Sequence, residues 1–281
     1  MTEPTAEQKI LSLTIEEYEQ IQPIVTVPYS GGEAIFYTPN RKAVWRARTL
    51  DSKEPETVAW MNSFEPGEVL VDVGANVGMY SIWSALTRSV RVFAFEPESQ
   101  NYALLNRNIF LNKLSNSVFA YCVALSDEIK FDKLHLSAVE MAGSCHSFGE
   151  EVDFNLRPVR FQHAQGCFST TLDRLVADRV LPPPHHLKID VDGLEHKVLS
   201  GAEITLQGGT LKSVLVEINT NLPQHMAIVG RLEQWGFHYS REDVEKCMVR
   251  EGPFAGVANY VFRRRGVSQV AVPAEIRPLR A

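Results

Sequence analysis

Cysteine is scarce in this sequence, and its copies stand far apart. The four cysteines occupy positions 122, 145, 167 and 247, and no two of them form a C-x-x-C pair. A structural zinc site or a disulfide framework would need cysteines in close or regular spacing. We therefore expect reduced thiols, without zinc and without disulfides.

Long apolar runs and an excess of positive charge are also missing. No stretch approaches the roughly 18 apolar residues of a membrane-spanning helix, and the first residues, Met1 to Lys9, lack the apolar segment of a secretion signal. The formal net charge is −6, whereas contact with a phosphate backbone needs clustered Lys and Arg. The sequence therefore predicts a cytoplasmic protein that binds neither membranes nor nucleic acid.

The sequence does contain apolar runs of strand length that alternate with helical segments. This alternation implies right-handed βαβ units and a parallel sheet, and 44% hydrophobic residues over 281 positions suffice for one core. We predict a doubly wound, Rossmann-like α/β domain over residues 51–265, after a helix and hairpin extension over 1–50 and before a tail over 266–281. The predicted strands are 68–73, 90–95, 118–124, 187–191 and 213–218, and the predicted helices are 78–88, 98–112, 171–178, 194–206 and 222–235.

Both ends of this predicted domain carry additional elements. Apolar residues at helical spacing over residues 7–21 predict an amphipathic helix that packs on the domain. A Gly-Gly pair within residues 28–40 predicts a hairpin. Residues 237–240 and 258–262 have strand-like composition, so we expect an antiparallel hairpin at the C-terminal edge of the sheet.

Residues 127–168 match no βα unit. A long insertion at the carboxyl edge of a parallel sheet is where substrate-specific structure usually lies. We predict that this segment covers the substrate, and the alternative is an ordinary meander that makes no contact with it.

A glycine-rich turn follows the first predicted strand and precedes a predicted helix. It reads D-x-G-x-N-x-G, with Asp72, Gly74, Asn76 and Gly78. The glycines would let a ligand approach the backbone, and the helix would offer free N–H groups to a carboxylate. A dinucleotide fingerprint would need glycine in place of Asn76 and Met79, so the turn favours a nucleoside without a pyrophosphate. The alternative is a turn that serves only packing.

Polar residues end the second and third predicted strands. Glu96 stands where doubly wound folds hold the ribose hydroxyls, and Ser126 and Asp127 would flank the base. We predict all three as cofactor ligands. The alternatives are a helix cap at Glu96 and a plain turn at the other two positions.

Two carboxylates approach the carboxyl end of the fourth predicted strand. Lys188, Asp190 and Asp192 alternate along it, so their side chains share one face. A carboxylate at that edge can orient a hydroxyl or remove its proton, and we predict catalytic roles for both aspartates. A nearby carboxylate would raise their pKa values and Lys188 would lower them, and the sequence leaves that balance open. The alternative is that Asp192 caps the next helix.

Several other polar residues are candidates for the same site. His196 is a candidate base, as are His146 and His163, because imidazole titrates near neutrality. Glu56 precedes the first strand of the sheet and is a candidate to fold over the nucleoside, with a helix cap as the alternative.

The fifth predicted strand brings one more carboxylate to this edge. Glu217 could bind substrate or pair with Lys188. Together with the two aspartates it could offer oxygen ligands to Mg²⁺, but the sequence has no dedicated ligand loop. We therefore predict no metal.

The chain resembles the FkbM family of S-adenosylmethionine-dependent methyltransferases over about residues 50–220. The matching segments are KEPETVAW, DVGANVGMYS, FEPES, VALSD, TTLDRL, LKIDVDGLEHKVLSGAE and SVLVEIN. The run KIDVDG-x-E is the specific one, since many methyltransferases share the glycine motif. The resemblance implies a class I methyltransferase sheet, S-adenosylmethionine as cofactor, and methyl transfer to a hydroxyl of a small molecule, sugar or natural product.

The expected partner is thus a small-molecule hydroxyl acceptor, and a homo-oligomer is compatible with the sequence. Two other functions stay open. A nicotinamide-dependent oxidoreductase would use the same fold class, although the missing glycines argue against it. A non-catalytic binding module would keep the fold alone, although the paired aspartates beside an intact glycine turn argue against that.

Overall fold

A computed structural model describes residues 13–266 of the chain. Its helices are α1 (Ile15–Gln20), α2 (Arg41–Arg48), α3 (Pro55–Met61), α4 (Met79–Arg88), α5 (Ser99–Leu111), α6 (Leu172–Ala177), α7 (Glu195–Ser200), α8 (Glu203–Gln207), α9 (Pro223–Gln234) and α10 (Arg241–Cys247). Its strands are β1 (Ile24–Tyr29), β2 (Gly32–Tyr37), β3 (Val69–Val73), β4 (Arg91–Phe95), β5 (Val118–Tyr121), β6 (Ala124–Leu125), β7 (Lys130–Leu136), β8 (Ser147–Phe148), β9 (His163–Thr170), β10 (His186–Ile189), β11 (Ser213–Asn219), β12 (Phe237–His238) and β13 (Val257–Arg264). Residues 267–281 of the predicted tail and residues 7–12 of the predicted helix over 7–21 lie outside the described residues.

The central sheet has seven strands in the order β12-β13-β11-β10-β3-β4-β5. Strands β5, β4, β3, β10 and β11 are parallel, and β13 runs antiparallel to both β11 and β12. Every residue of β3 and β10 is buried, as expected for parallel strands covered by helices on both faces. The doubly wound prediction and the antiparallel C-terminal pair are therefore confirmed, with β13 inserted between β11 and β12 and α10 between the two paired strands.

A second sheet of four strands forms from the predicted insertion and the segment before it. Its order is β6-β9-β7-β8. The prediction of one continuous strand over residues 118–124 was wrong, because the main-sheet strand ends at Tyr121 and Ala124–Leu125 pairs in parallel with β9 instead. The insertion thus draws the end of that predicted strand into its own sheet.

The predicted helix over residues 194–206 is divided into α7 and α8. The break contains Gly201, which lies against the chain that follows β6. A Cβ on Gly201 would stand 1.9 Å from the Ser126 carbonyl oxygen. A continuous helix with a larger residue here would collide with that carbonyl, which explains the glycine in the VLSGA segment.

The predicted N-terminal hairpin is present as β1 and β2. It is attached to α5 and to the residue that follows it, where the Asn108 and Asn112 side chains accept hydrogen bonds from the amides of Tyr37 and Ile35, respectively. The expectation that the preceding helix packs on the domain is wrong for its described part, because α1 has no buried residue. Within residues 13–266, no helix is both long and apolar enough to cross a membrane.

We predict that Gly201→Ala lowers the free energy of unfolding by about 1 to 3 kcal/mol, the usual cost of overpacking. The backbone angle at Gly201 is accessible to alanine (φ −80°), so the cost would come from overlap with the Ser126 carbonyl and the Thr171 Cβ. The control is Gly230→Ala inside α9, where no atom lies within 4 Å of the added Cβ and a stabilisation of up to about 1 kcal/mol is expected. Equal shifts in urea unfolding for the two variants would contradict this account.

Candidate active site

A cavity of about 530 Å³ lies at the carboxyl end of the central sheet, a size typical of small-molecule sites. The strands supply its polar floor. Gly74 follows β3, Glu96 follows β4, Asp190 and Asp192 follow β10, and Glu217 belongs to β11. Five of the residues singled out in the sequence therefore meet at one edge of the sheet.

Other segments close the cavity from above. Residues 143–146 of the insertion line it, as do Arg46 of α2 and the Lys53–Glu54 pair before α3. The sequence interpretation missed Arg46, Lys53 and Glu54, although Lys53 and Glu54 stand in the KEPET segment from which only Glu56 was chosen. Glu56 does line the cavity, and its Oε1 accepts a hydrogen bond of 2.9 Å from Asn259 Nδ2.

The glycine turn has a different physical basis from the one expected. Gly74 and Gly78 both have positive φ, and a Cβ on Gly74 would stand 1.9 Å from the Asp190 carbonyl oxygen. A Cβ on Gly78 would stand 2.3 Å from Leu105 Cδ1. Gly78 does not line the cavity, so it permits packing of α5, and Gly74 permits close contact between two strand ends.

The amide groups of this turn are also already used. Those of residues 74–78 donate to Phe95, Ala75, Glu96 and the Asn76 side chain. Residues 74–78 therefore offer no free amide to a carboxylate, and the free N–H groups expected of the helix itself, at the start of α4, stay a prediction. Arg46 and Lys53 are cations that line the same cavity, and they could hold a carboxylate instead.

Asp72 lies beneath the cavity and does not line it. Its side chain is 1% exposed and accepts a hydrogen bond of 2.6 Å from Ser81 Oγ. Lys188 Nζ lies 3.6 Å from its other oxygen. Asp72 thus fixes α4 and β10 against β3 and does not reach a ligand in the cavity.

Glu96 is a buried carboxylate at the cavity wall. Its two oxygens accept hydrogen bonds from the amides of Asn76 and Glu98, at 2.7 and 2.9 Å. Burial raises the pKa of Glu96 to about 7, against the lowering effect of these amides. The alternative that Glu96 caps a helix is wrong, because Glu98 is the cap residue of α5. The Glu98 side chain accepts hydrogen bonds from the first amides of that helix.

The remaining predicted cofactor and base residues divide into two groups. Ser126 lines the cavity, whereas Asp127 is exposed and serves as acceptor for the Ser126 hydroxyl. His196 and His163 do not line the cavity. His146 does, and its buried Nε2 has no hydrogen-bond partner within residues 13–266.

Asp190 is paired with a buried ammonium group. Lys188 Nζ lies 3.1 Å from Asp190 Oδ2, and the Lys188 side chain is almost completely enclosed. Burial raises the pKa of Asp190, but Lys188 and Lys53 outweigh this effect and hold the pKa below its ordinary value. Asp190 is therefore ionised at neutral pH.

Asp192 has the opposite environment. It has a positive φ of 57°, and its Oδ2 accepts a hydrogen bond of 2.7 Å from the Cys145 amide. Burial and the charge of Asp190 raise the pKa of Asp192 to about 6. The alternative that it caps α7 is wrong, because Leu194 is the cap residue and makes no side-chain cap bond.

Glu217 completes the acidic side of the cavity. Burial raises its pKa well above the ordinary value, and the charges of Asp190, Glu195 and Asp192 add to this effect. Protonated Glu217 can donate a hydrogen bond. In the described part of the chain, no three or more His, Cys, Asp or Glu side chains are arranged to hold a metal ion.

The tip of the insertion contacts both halves of the cavity. The Gly143 carbonyl accepts from the side chains of Asn76 and Asn101, and the Cys145 amide donates to Asp192. A segment that covered only the acceptor would not accept the hydrogen bonds from Asn76 and Asn101. The insertion therefore connects the glycine turn to the β10 carboxylates.

A sheet with this strand order, one antiparallel strand and a polar cavity at its carboxyl edge defines a class I methyltransferase fold. The chain belongs to the FkbM family of methyltransferases, whose domain, described as Methyltransferase FkbM domain, matches residues 72–239. The predictions of family, fold class, enzymatic methyl transfer and S-adenosylmethionine as cofactor are therefore confirmed. Membership of a methyltransferase family excludes the two alternatives, a nicotinamide-dependent oxidoreductase and a non-catalytic binding module.

Two curated relatives carry names for what they methylate. Hexuronic acid methyltransferase AglP of Haloferax volcanii is 26% identical over 196 residues, which cover 69% of this chain and 73% of the relative. The 31-O-demethyl-FK506 methyltransferase FkbM of Streptomyces tacrolimicus is 30% identical over 161 residues, with coverage of 49% and 60%. This chain thus spans less than two thirds of the second relative.

Solved structures resemble the chain at low identity. A putative rRNA-methylase from Clostridium thermocellum has 10% identity and a TM-score of 0.45, covering 78% of this chain and 97% of that one. TYW2 from M. jannaschii in complex with AdoMet has 14% identity and a TM-score of 0.43, with coverage of 87% and 88%. Neither likeness bears on substrate or mechanism.

The residues of the cavity fit the nucleoside of S-adenosylmethionine. Each carboxylate oxygen has two acceptor sites, and the amides of Asn76 and Glu98 use one on each Glu96 oxygen. The remaining sites are available to the two ribose hydroxyls. The unpartnered Nε2 of His146 and the side chain of Ser126 offer further polar contacts in the same cavity.

We predict that the affinity for S-adenosylhomocysteine is full above about pH 7 and falls as the pH drops through 7, because protonated Glu96 loses acceptor sites. Glu96→Gln should bind about tenfold more weakly, the effect of one charge-assisted hydrogen bond. Its affinity should also vary less between pH 6 and 8. Calorimetric titration of both proteins measures this, and identical pH profiles would remove Glu96 from the ribose site.

Proposed function

We propose that this methyltransferase methylates a hydroxyl oxygen of a sugar or natural product, which it holds against Asp190, Asp192 and Glu217. The observation that carries the proposal is Asp192, a half-buried carboxylate at the cavity wall with a pKa of about 6. Such a group is ionised at neutral pH and still basic enough to take a proton. The catalytic unit that we propose is residues 51–265, with the earlier residues as an extension.

The acceptor class follows from the polar side of the cavity. Three carboxylates, Asp190, Asp192 and Glu217, line this cavity, and the cations Arg46 and Lys53 line it with them. Many donors and acceptors at close range suit a molecule with several hydroxyls. The two named relatives support this choice, since one is named for a hexuronic acid and the other for an oxygen of FK506.

The two aspartates have separate roles in this proposal. Asp190, kept ionised by Lys188, accepts a hydrogen bond from the acceptor and orients it. Asp192 removes the proton from the reacting hydroxyl while its position is maintained by the Cys145 amide. His196 has no part, because it does not line the cavity.

Bound S-adenosylmethionine supplies an electrophilic methyl group. The acceptor oxygen would take this methyl group as the carbon–sulfur bond breaks, the sulfur would leave as the neutral thioether of S-adenosylhomocysteine, and the hydroxyl proton would pass to Asp192 Oδ1 or Oδ2. Protonated Glu217 donates a hydrogen bond to a neighbouring oxygen of the acceptor. Residues 143–146 cover the reacting groups and limit the access of water.

The cellular location and the binding partners that we infer are those predicted from the sequence. We propose a cytoplasmic enzyme with a small-molecule acceptor, no nucleic-acid partner and no membrane partner. A homo-oligomer is compatible with this proposal.

The test of the acceptor class uses labelled S-adenosylmethionine with a panel of hexoses, hexuronic acids and hydroxylated macrolides. We expect label in a product that is stable to mild alkali, as an ether is. A label that mild alkali releases as methanol would indicate a carboxyl ester and would contradict hydroxyl methylation. Absence of transfer to every polyol in the panel would contradict the acceptor class.

We predict that Asp192→Asn lowers kcat by about a hundredfold to ten-thousandfold, the usual contribution of a general base. Asparagine is tolerated at positive φ, so the fold and the affinity for S-adenosylhomocysteine should be preserved. In the wild type, kcat should rise with pH to a plateau above about pH 6.

The control for this prediction is Asp190→Asn. Because the charge of Asp190 raises the pKa of Asp192, this variant should keep the acidic limb of the kcat profile and shift it to lower pH. Persistence of an unchanged limb in Asp192→Asn would assign the base to another residue.

A further inference from the structure

A second cavity, of about 720 Å³, adjoins the active-site cavity. It is a groove between α3 and α10, over one face of β13. Lys53, Glu56, Cys247 and Asn259 line both cavities. The groove is therefore a continuation of the active site away from the cofactor side.

The partition between the two cavities is narrow. It contains the hydrogen bond of 2.9 Å from Asn259 Nδ2 to Glu56 Oε1. Asn259 is the register partner of Glu217, which lies on the acidic side of the active-site cavity. A ligand that extends from the acceptor region into the groove would pass beside this hydrogen bond or displace it.

Alternate residues of β13 form the floor of the groove. Asn259, Val261 and Arg263 lie on one face of the strand and line the groove. At about 3.3 Å per residue, the Cα atoms of Asn259 and Arg263 are about 13 Å apart. A ligand that reaches from the active site to Arg263 must therefore be elongated.

Arg263 differs from the arginine beside it. Within residues 13–266 its guanidinium donates no hydrogen bond, whereas that of Arg264 donates to the carbonyls of Leu206, Gly208, Leu211 and Trp235. Lys246 of α10 is the other cation at this end of the groove, and its ammonium group already forms an ion pair with Glu242. A half-buried guanidinium with unused donors matches a carboxylate or phosphate in a two-point contact.

We propose that the groove binds the extension of an elongated acceptor and that Arg263 receives an anionic group on it, a carboxylate or a phosphate. The inference deepens the proposed function, on which it rests, by giving the acceptor a second contact region. The reacting hydroxyl stays at Asp192, and the anion lies on the far side of the Glu56–Asn259 bond.

Calorimetric titration with saturating S-adenosylhomocysteine tests the proposal without turnover. The probes are trigalacturonate for a carboxylate source, maltotriose 1-phosphate for a phosphate source, and maltotriose as the neutral control. We expect one of the two anions to bind, and Arg263→Met to weaken it by about tenfold or more. Arg263→Lys should recover part of the loss, since it restores the charge without the planar fork.

Lys246→Met is the matched control, because it removes a groove cation whose charge is already paired. Its affinity for the anion should stay within about twofold of the wild type, and all variants should bind S-adenosylhomocysteine equally. Failure of both anions to bind, or equal binding by Arg263→Met, overturns the groove proposal. If neither anion binds in the groove while polyols are still methylated, the groove proposal fails and the proposed function stands. If an anion binds at Arg263 while no polyol is methylated, the proposed function fails and the anion site stands.

Discussion

The buried ammonium of Lys188 is the interaction on which the site depends. It lies 3.6 Å from Asp72 and 3.1 Å from Asp190, so one charge joins the strand that leads into the glycine turn to the strand that carries the acceptor carboxylates. Burial lowers the pKa of Lys188, but the two carboxylates outweigh this and raise it. Loss of one member of such a group leaves an uncompensated buried charge, at a cost of about 3 to 5 kcal/mol.

Around this charge the protein gives neighbouring carboxylates different chemistry. Asp190 has two ammonium groups near it and a lowered pKa. Asp192 has a neighbouring negative charge, one amide donor and a raised pKa. Two residues of the same type, two positions apart, thus have opposite pKa shifts, which support the separate roles of fixed charge and proton acceptor that we propose for them. The difference between the two environments depends on the turn after β10, where the positive φ of Asp192 directs its side chain towards the Cys145 amide.

The site is also a product of segments that are distant in sequence. The insertion contributes its tip through bonds to Asn76 and Asp192, and residues before the first strand of the sheet contribute Lys53 and Glu56. Beyond them, β13 carries Asn259 and Arg263 into an adjoining groove. The regions that we propose for the cofactor, the acceptor and its extension thus follow one another across the sheet edge from β4 to β13.

The sequence by itself determined the alternation of strands and helices, and with it the strand ends that carry Glu96, Asp190 and Glu217. Those features are local, because hydrophobic period and motif spacing encode them. Only the tertiary structure decided that Asp72 lies beneath the cavity, that Gly74 faces a carbonyl oxygen, and that residues 124–125 join a second sheet. These outcomes depend on contacts between residues far apart in the chain, such as Ser126 with Gly201, and no local pattern records them.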